Sequence, residues 1–123
     1  AFKCKAVASN VFQKQAQFAP ARAFDDDPET RWGCDWGTKS AWLEVDLGAD
    51  KTFRRAWISE PYGRVQEFEL QVWKNDAWQT FHKGKGIGEN REIKFEPTTG
   101  RRVRLNLVRT SEGPSIWEFH LFE

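Results

Sequence analysis

Two stretches of this chain alternate apolar and polar residues with a period of two. That alternation restricts the fold more than any other feature. Phe68, Leu70 and Val72 alternate with Glu67, Glu69, Gln71 and Trp73, and Val103, Leu105 and Leu107 alternate with Arg102, Arg104 and Asn106. Successive side chains of a strand point to opposite faces, so each stretch predicts a strand with one buried face. Asn75-Asp76 directly follows the first stretch and predicts a tight hairpin into a returning strand over 78–82.

The remaining segments read the same way. A short strand is expected over 4–9. Residues 10–21 are polar and Gln-rich, with Phe12 and Phe18 as anchors and room for one helical turn. Trp42, Leu43, Val45 and Leu47 predict a strand ending at Gly48, and 53–60 another, stopped by Pro61-Tyr62-Gly63. A Gly-rich loop over 83–90 leads to a short strand over 92–96 closed by Pro97, and the last strand covers 116–122. About eight strands, frequent turns and no long helix predict an all-β fold: an eight-stranded jelly-roll β-sandwich filling one domain over residues 1–123.

Composition narrows the function. Net charge is +1, so no field of one sign argues for nucleic acid or an acidic membrane surface. No apolar run approaches the ~20 residues of a membrane span. The chain has no Met and no signal peptide, which predicts a processed chain or a piece cut at domain boundaries from a larger one. Seven Trp and ten Phe exceed the needs of a core this size, so some rings are expected at the surface. Trp32, Trp42, Trp78 and Trp117 are expected in the core or its rim. Trp57 and Trp73 are expected on the outer face, as a second aromatic patch or under a neighbouring domain. Cys4 and Cys34 allow one bridge, which an exported protein would form; two unrelated thiols are the alternative.

Residues 22–32 run Arg-Ala-Phe-Asp-Asp-Asp-Pro-Glu-Thr-Arg-Trp. Three acids before a Pro make a turn, and Asp25, Asp27 and Thr30 place two carboxylates and a hydroxyl in one bend. Calcium takes about six to eight oxygens of these types. A solvated acidic turn and a calcium loop both fit this spacing.

In this order, Asp25-x-Asp27-x-x-Thr30-x-Trp32, then Trp42-Leu43-Glu44-Val45-Asp46-Leu47-Gly48, Arg102-Val103-Arg104-Leu105 and Ile116-Trp117-Glu118-Phe119 resemble the coagulation factor V/VIII type C (discoidin-like) domains. Within them the chain is similar to the family 32 carbohydrate-binding modules. Residues 58–66 and 112–119 further resemble the module that follows the catalytic domain in some α-L-fucosidases. The resemblance implies a galactose-binding-domain-like sandwich. It also implies a structural calcium ion held by the Arg22 and Trp117 carbonyls with Asp25, Asp27, Thr30 and Glu118. Asp26 stands where the family usually has Gly, in a turn that Gly would take freely.

The resemblance also places sugar binding on loops at one end of the sandwich. The candidates are Trp36 as a stacking ring, Tyr62, Glu60 and Arg64 as a hydroxyl-reading pair, Arg109, and Asp35. For Trp36 a ring folded back over the core is the alternative; for Glu60 and Arg64, a plain surface ion pair. Galactose-binding members often carry a His after the Thr-x-Trp motif. Residues 33–40 contain none, which leaves fucose or another glycan open. The function implied is a non-catalytic module recognising galactose-, fucose- or related glycans, appended to a secreted glycoside hydrolase. The alternatives are a domain that packs on a catalytic neighbour and a phospholipid-binding discoidin-type domain. No nucleophile motif, His-Glu-x-x-His or phosphate-binding loop suggests an enzyme. Gly84-Lys85-Gly86-Ile87-Gly88 has no helix after it.

Overall fold

The computed structural model describes residues 4–27 and 29–123. Eight strands follow in order: β1 (Lys5–Ala8), β2 (Trp32–Gly33), β3 (Ala41–Ser59), β4 (Val65–Lys74), β5 (Ala77–Gly84), β6 (Arg91–Thr110), β7 (Ser115–Ile116) and β8 (Glu118–Phe122). Every pairing is antiparallel.

Two long strands, β3 and β6, organise the sandwich. They pair with each other along nearly their whole length. The first half of β3 also carries β1, with Ala8 opposite Leu43. Its second half carries β8, with Ile58 opposite Phe119. The second half of β6 carries β4, which in turn carries β5. One layer is therefore β1-β3-β6-β4-β5, and the other is β8 with the far halves of β3 and β6. A two-stranded clamp, β2 with β7, sets Trp32 opposite Ile116 at one end.

The chain was expected to break at Gly48 and at Pro97, and it does neither. Gly48 takes φ 88°, a left-handed conformation open to glycine, and its N–H donates to the Asp46 carboxylate at 2.8 Å. Pairing shifts register between Asp46 and Lys51, so this turn chemistry makes a bulge inside a continuous strand. Pro97 lies beside a second register shift, between Phe53 and Arg55, where its missing N–H breaks no ladder. The 10–21 segment forms three single 3₁₀ turns, Phe12–Lys14, Ala16–Phe18 and Pro20–Ala23, in place of the one expected.

The alternating stretches behave as the period predicts. Phe68, Leu70, Val72, Val103, Leu105 and Leu107 are all buried between the layers. Phe24, Trp32, Phe53, Ile58 and Phe119 complete the centre, with no more than 2% exposure each. Trp32 also donates its indole N–H to the Asn10 carbonyl at 2.9 Å, which ties the 10–21 segment to the clamp. The outward faces of β3, β4, β5 and β6 carry a ladder: Arg104 lies over Trp42 and Trp78, and Arg102 over Trp73 and Trp78. Glu44 accepts hydrogen bonds from both arginines. The expected Cys4–Cys34 bridge is not formed; both thiols are free, and Cys34 is buried. Among the described residues no helix is long and apolar enough to cross a membrane.

Candidate functional site

Period two also explains how the site is built. In β2 the Trp32 side chain enters the core, so Arg31 and Gly33 face the other way. They join residues from four other segments around one cleft of about 140 Å³, lined by Phe12, Phe18, Arg31, Gly33, Cys34, Trp36, Tyr62, Arg64 and Ser115. Phe12 and Phe18 meet edge to face at 5.3 Å. Trp36 is 67% exposed and Tyr62 is 53% exposed, so neither ring plugs the core.

Guanidinium groups order these rings. Arg64 lies over Tyr62 at 4.7 Å and over Trp36 at 5.1 Å, and its Nη1 donates to the Gly113 carbonyl at 2.9 Å. Arg31 lies over Tyr62 at 5.4 Å and over Phe18 at 5.0 Å. Its Nε is buried with no partner among the described residues. Such contacts hold a planar cation against an aromatic face while its edge stays free to donate.

The loops are fastened from beneath. Glu60 is 1% exposed and does not reach the cleft surface. Its Oε1 accepts from the Arg64 and Val65 N–H groups at 2.8 and 3.1 Å, and its Oε2 from the Gly88 N–H at 3.1 Å. The expected Glu60–Arg64 hydroxyl-reading pair is therefore corrected: Glu60 shapes the 60–66 turn through backbone donors. A buried carboxylate needs such partners. Glu112 does the same for the opposite wall, accepting from the Gly37 and Gly113 N–H groups; those contacts hold its carboxyl below the usual range. Gly113 packs directly against the Asp35 carbonyl, leaving no room for a Cβ.

Two expected sugar contacts lie elsewhere. Arg109 points from the outer sheet and pairs with Glu67 at 2.9 Å, outside the cleft. Asp35 lies behind the cleft wall, accepting from the Gln13 N–H at 2.6 Å and bordering a separate groove with Asn10 and Lys14. Trp36, Tyr62 and Arg64 do come together. The sequence marks Phe12 and Phe18 only as anchors and Arg31 only as a residue of the 22–32 bend, yet all three line the cleft. The signal for Arg31 was its position beside a core Trp in an extended segment.

The acidic bend sits apart from the cleft, against β8. Thr30 donates its hydroxyl to Asp25 Oδ2 at 2.5 Å, and the Asp27 N–H donates to Asp25 Oδ1 at 3.1 Å. Asp27 accepts from the Glu29 N–H at 2.9 Å, and the Arg22 guanidinium lies 3.9 Å from Asp25. Asp26 takes φ 56°, a strained conformation for a residue at the usual Gly position. Its carboxylate, that of Glu118 and the His120 imidazole have ligating atoms within 4.8 Å of one another. Both Glu118 oxygens are buried and lack a hydrogen-bond partner among the described residues. Burial pushes the Glu118 carboxyl up and the Asp25 charge adds to this, while nearby His120 and the Asp26 backbone oppose it. Orphaned carboxylate oxygens facing more acid are what a hard cation would satisfy. Asp26 and His120 were not expected here.

Residues 5–119 match the F5/8 type C domain family. The chain is an F5/8 type C domain. The domain is 28% identical over 109 residues to the proposed alpha-L-fucosidase 1 of Oryza sativa subsp. japonica, a match covering 86% of the domain and 21% of the rice protein. It thus spans about a fifth of that relative's length. Chitosan-binding module 1 of a chitosanase/glucanase from Paenibacillus sp. IK-5 superposes with a TM-score of 0.91 at 28% identity, over 100% of this domain and 97% of that chain. The Clostridium perfringens module CpGH89CBM32-5, in complex with GalNAc-β-1,3-galactose, superposes with a TM-score of 0.86 at 17% identity, over 98% of the domain and 96% of that chain. At that identity the likeness concerns the fold.

Proposed function

We propose that this F5/8 type C domain is a non-catalytic carbohydrate-binding module of a secreted glycoside hydrolase, and that it takes a sugar ring in the cleft between Trp36, Tyr62 and Arg64. The observation that carries the reading is the cleft itself. Two exposed rings offer flat apolar faces for the C–H side of a pyranose, and Arg64, Arg31 and Ser115 offer donors for its oxygens. The chitosan-binding module of Paenibacillus and the rice relative support it. A cleft with two guanidiniums and no carboxylate in its lining lacks the paired acids of glycoside hydrolysis, which supports a binding role.

A structural calcium ion belongs to the same proposal. Asp25, Asp27, Thr30, Glu118 and the Arg22 and Trp117 carbonyls would hold it, and Asp26 stands close enough to Glu118 to contribute. Bound there, the ion would neutralise the acids and tie the bend to the last strand.

The test is calorimetric titration of the chain with methyl fucoside, methyl galactoside and their oligosaccharides, repeated on Trp36→Ala. The expected result is saturable binding that Trp36→Ala weakens at least tenfold while the melting temperature stays within a few degrees. Flat titrations at millimolar ligand with all of these sugars, and with methyl galacturonide, would overturn the reading.

A further inference from the structure

We infer that the cleft selects sugars carrying a negative charge, a carboxylate or sulfate group on the ring, over neutral sugars and over cationic glucosamine polymers. This rests on the carbohydrate-binding reading above and names the ligand class for that site.

The argument is the charge inventory of the cleft. Arg31 and Arg64 are the charged residues in its lining, and no Asp or Glu joins them. Among the described residues neither guanidinium forms an ion pair. The nearby carboxylates are committed elsewhere. Glu60 accepts three backbone N–H groups below the floor, Glu112 two in the wall, and Asp35 one behind it. The Cys34 thiol, pushed up to about 12 by burial, adds no negative charge. Both guanidiniums lie over the single Tyr62 ring, at 5.4 and 4.7 Å, so one ring of the cleft is flanked by two cations.

Neither guanidinium has an ion-pair partner among the described residues, although Arg64 senses the Glu112 charge in the wall, and the rings beside both partly desolvate them. An anion in the cleft offsets these positive charges and accepts charge-assisted hydrogen bonds from planar donors. The Arg31 and Arg64 guanidinium groups that line the cleft are such donors. A neutral hydroxyl would satisfy the geometry without cancelling the charge. An ammonium-bearing chitosan unit would meet two cations, so the sugar class here differs from the one bound by the Paenibacillus module.

The experiment titrates the chain with matched probes: methyl galactoside, methyl galacturonide, galactose 6-sulfate and chitotriose, each at low and high sodium chloride. The expected result is that the acidic probes bind at least tenfold more tightly than methyl galactoside, that salt erodes this preference, and that chitotriose gives no signal. Arg31→Gln should bring the acidic-to-neutral ratio close to one, with folding verified by the melting curve. If that variant fails to fold, the salt dependence on the unaltered chain decides alone. Equal binding of neutral and acidic probes, or tighter chitotriose binding, would overturn the inference and leave the carbohydrate reading standing. No binding of any probe would overturn both. A preference confined to galacturonide or to the sulfate would support the inference and identify which anion is the ligand group.

Discussion

The cleft and the acidic bend are joined by a few residues, yet they gather opposite charge. Asp26 lies beside Glu118 and His120 of β8, the Asp25 charge reaches Glu118, and Glu118 keeps two orphaned oxygens. Arg31, one residue beyond Thr30, turns away to meet Arg64 over Tyr62. The chain's net charge of +1 conceals both. Overall charge described neither surface, because what a ligand meets is set by which charged side chains the fold brings into the lining. Near the cleft, Glu60 and Glu112 are held by main-chain N–H groups away from the lining, so the guanidiniums form no ion pair among the described residues. Beside the bend, the Glu118 oxygens lack a hydrogen-bond partner among the described residues, and the His120 imidazole, 3.6 Å away, offsets their charge only when protonated.

The largest effect that would break this comparison is expected at Glu60. Glu60→Ala leaves three N–H groups without an acceptor, one buried and two part-buried, and unsatisfied buried donors cost about 1–3 kcal/mol each before relaxation. We expect about 3 kcal/mol or more of lost stability by denaturant melting, together with loss of sugar binding. A variant of near-normal stability would show that Glu60 does not fasten the loops.

Calcium removal should come next. A ligand at a hundredfold its Kd adds about 2.7 kcal/mol, so chelation should lower the melting temperature by roughly 10 °C and readdition should restore it. An unchanged melting curve after verified metal removal would contradict the cation reading of the bend and leave the cleft untouched. Gly113→Ala probes the other side. A Cβ there would collide with the Asp35 carbonyl, so the 110–115 and 33–40 loops must part. Expected is a loss of about 1–3 kcal/mol with sugar affinity reduced at least severalfold. Unaltered affinity would mean that these walls need not touch.

The smallest effect concerns pH. Burial, with help from the Arg91 charge, holds the His82 imidazole below its ordinary value, and its Nε2 is buried without a partner among the described residues. The unfolded chain then binds a proton before the folded one does. Stability is therefore complete above about pH 6.5 and falls as pH drops through the window between the ordinary and the depressed value. His82→Leu should flatten this part of the melting-temperature profile; parallel profiles for the two proteins would contradict it.

How much of this could be read from the chain follows from what each feature depends on. The strands around Phe68, Leu70, Val72, Val103, Leu105 and Leu107 were legible because their period reflects a local rule, alternation across a pleat. Gly48 and Pro97 were misread as strand ends because the same residues serve turns and bulges alike, and only pairing partners decide which. Trp36, Tyr62 and Arg64 were legible as a group because exposed rings and cations sit on predicted loops. Glu60 was misplaced because its neighbour Tyr62 is exposed, while its own side chain turns inward to accept three N–H groups. Arg109 was misplaced because a strand end looks like a loop in sequence, whereas its pairing with Glu67 holds it on the outer sheet. Cys4 and Cys34 showed no spacing that could settle their state.

The account turns on the cleft as the place where sugar binds, and the indole N–H resonances of the seven tryptophans test it most directly. Isotope-labelled chain should be titrated with methyl galacturonide, methyl galactoside and methyl fucoside in turn, with the resonances assigned by single Trp replacements. The predicted result is a saturable shift largest at Trp36, with Trp42, Trp57, Trp73 and Trp78 nearly still. Shifts confined to those four, or no shift with any of the sugars at millimolar concentration, would contradict it.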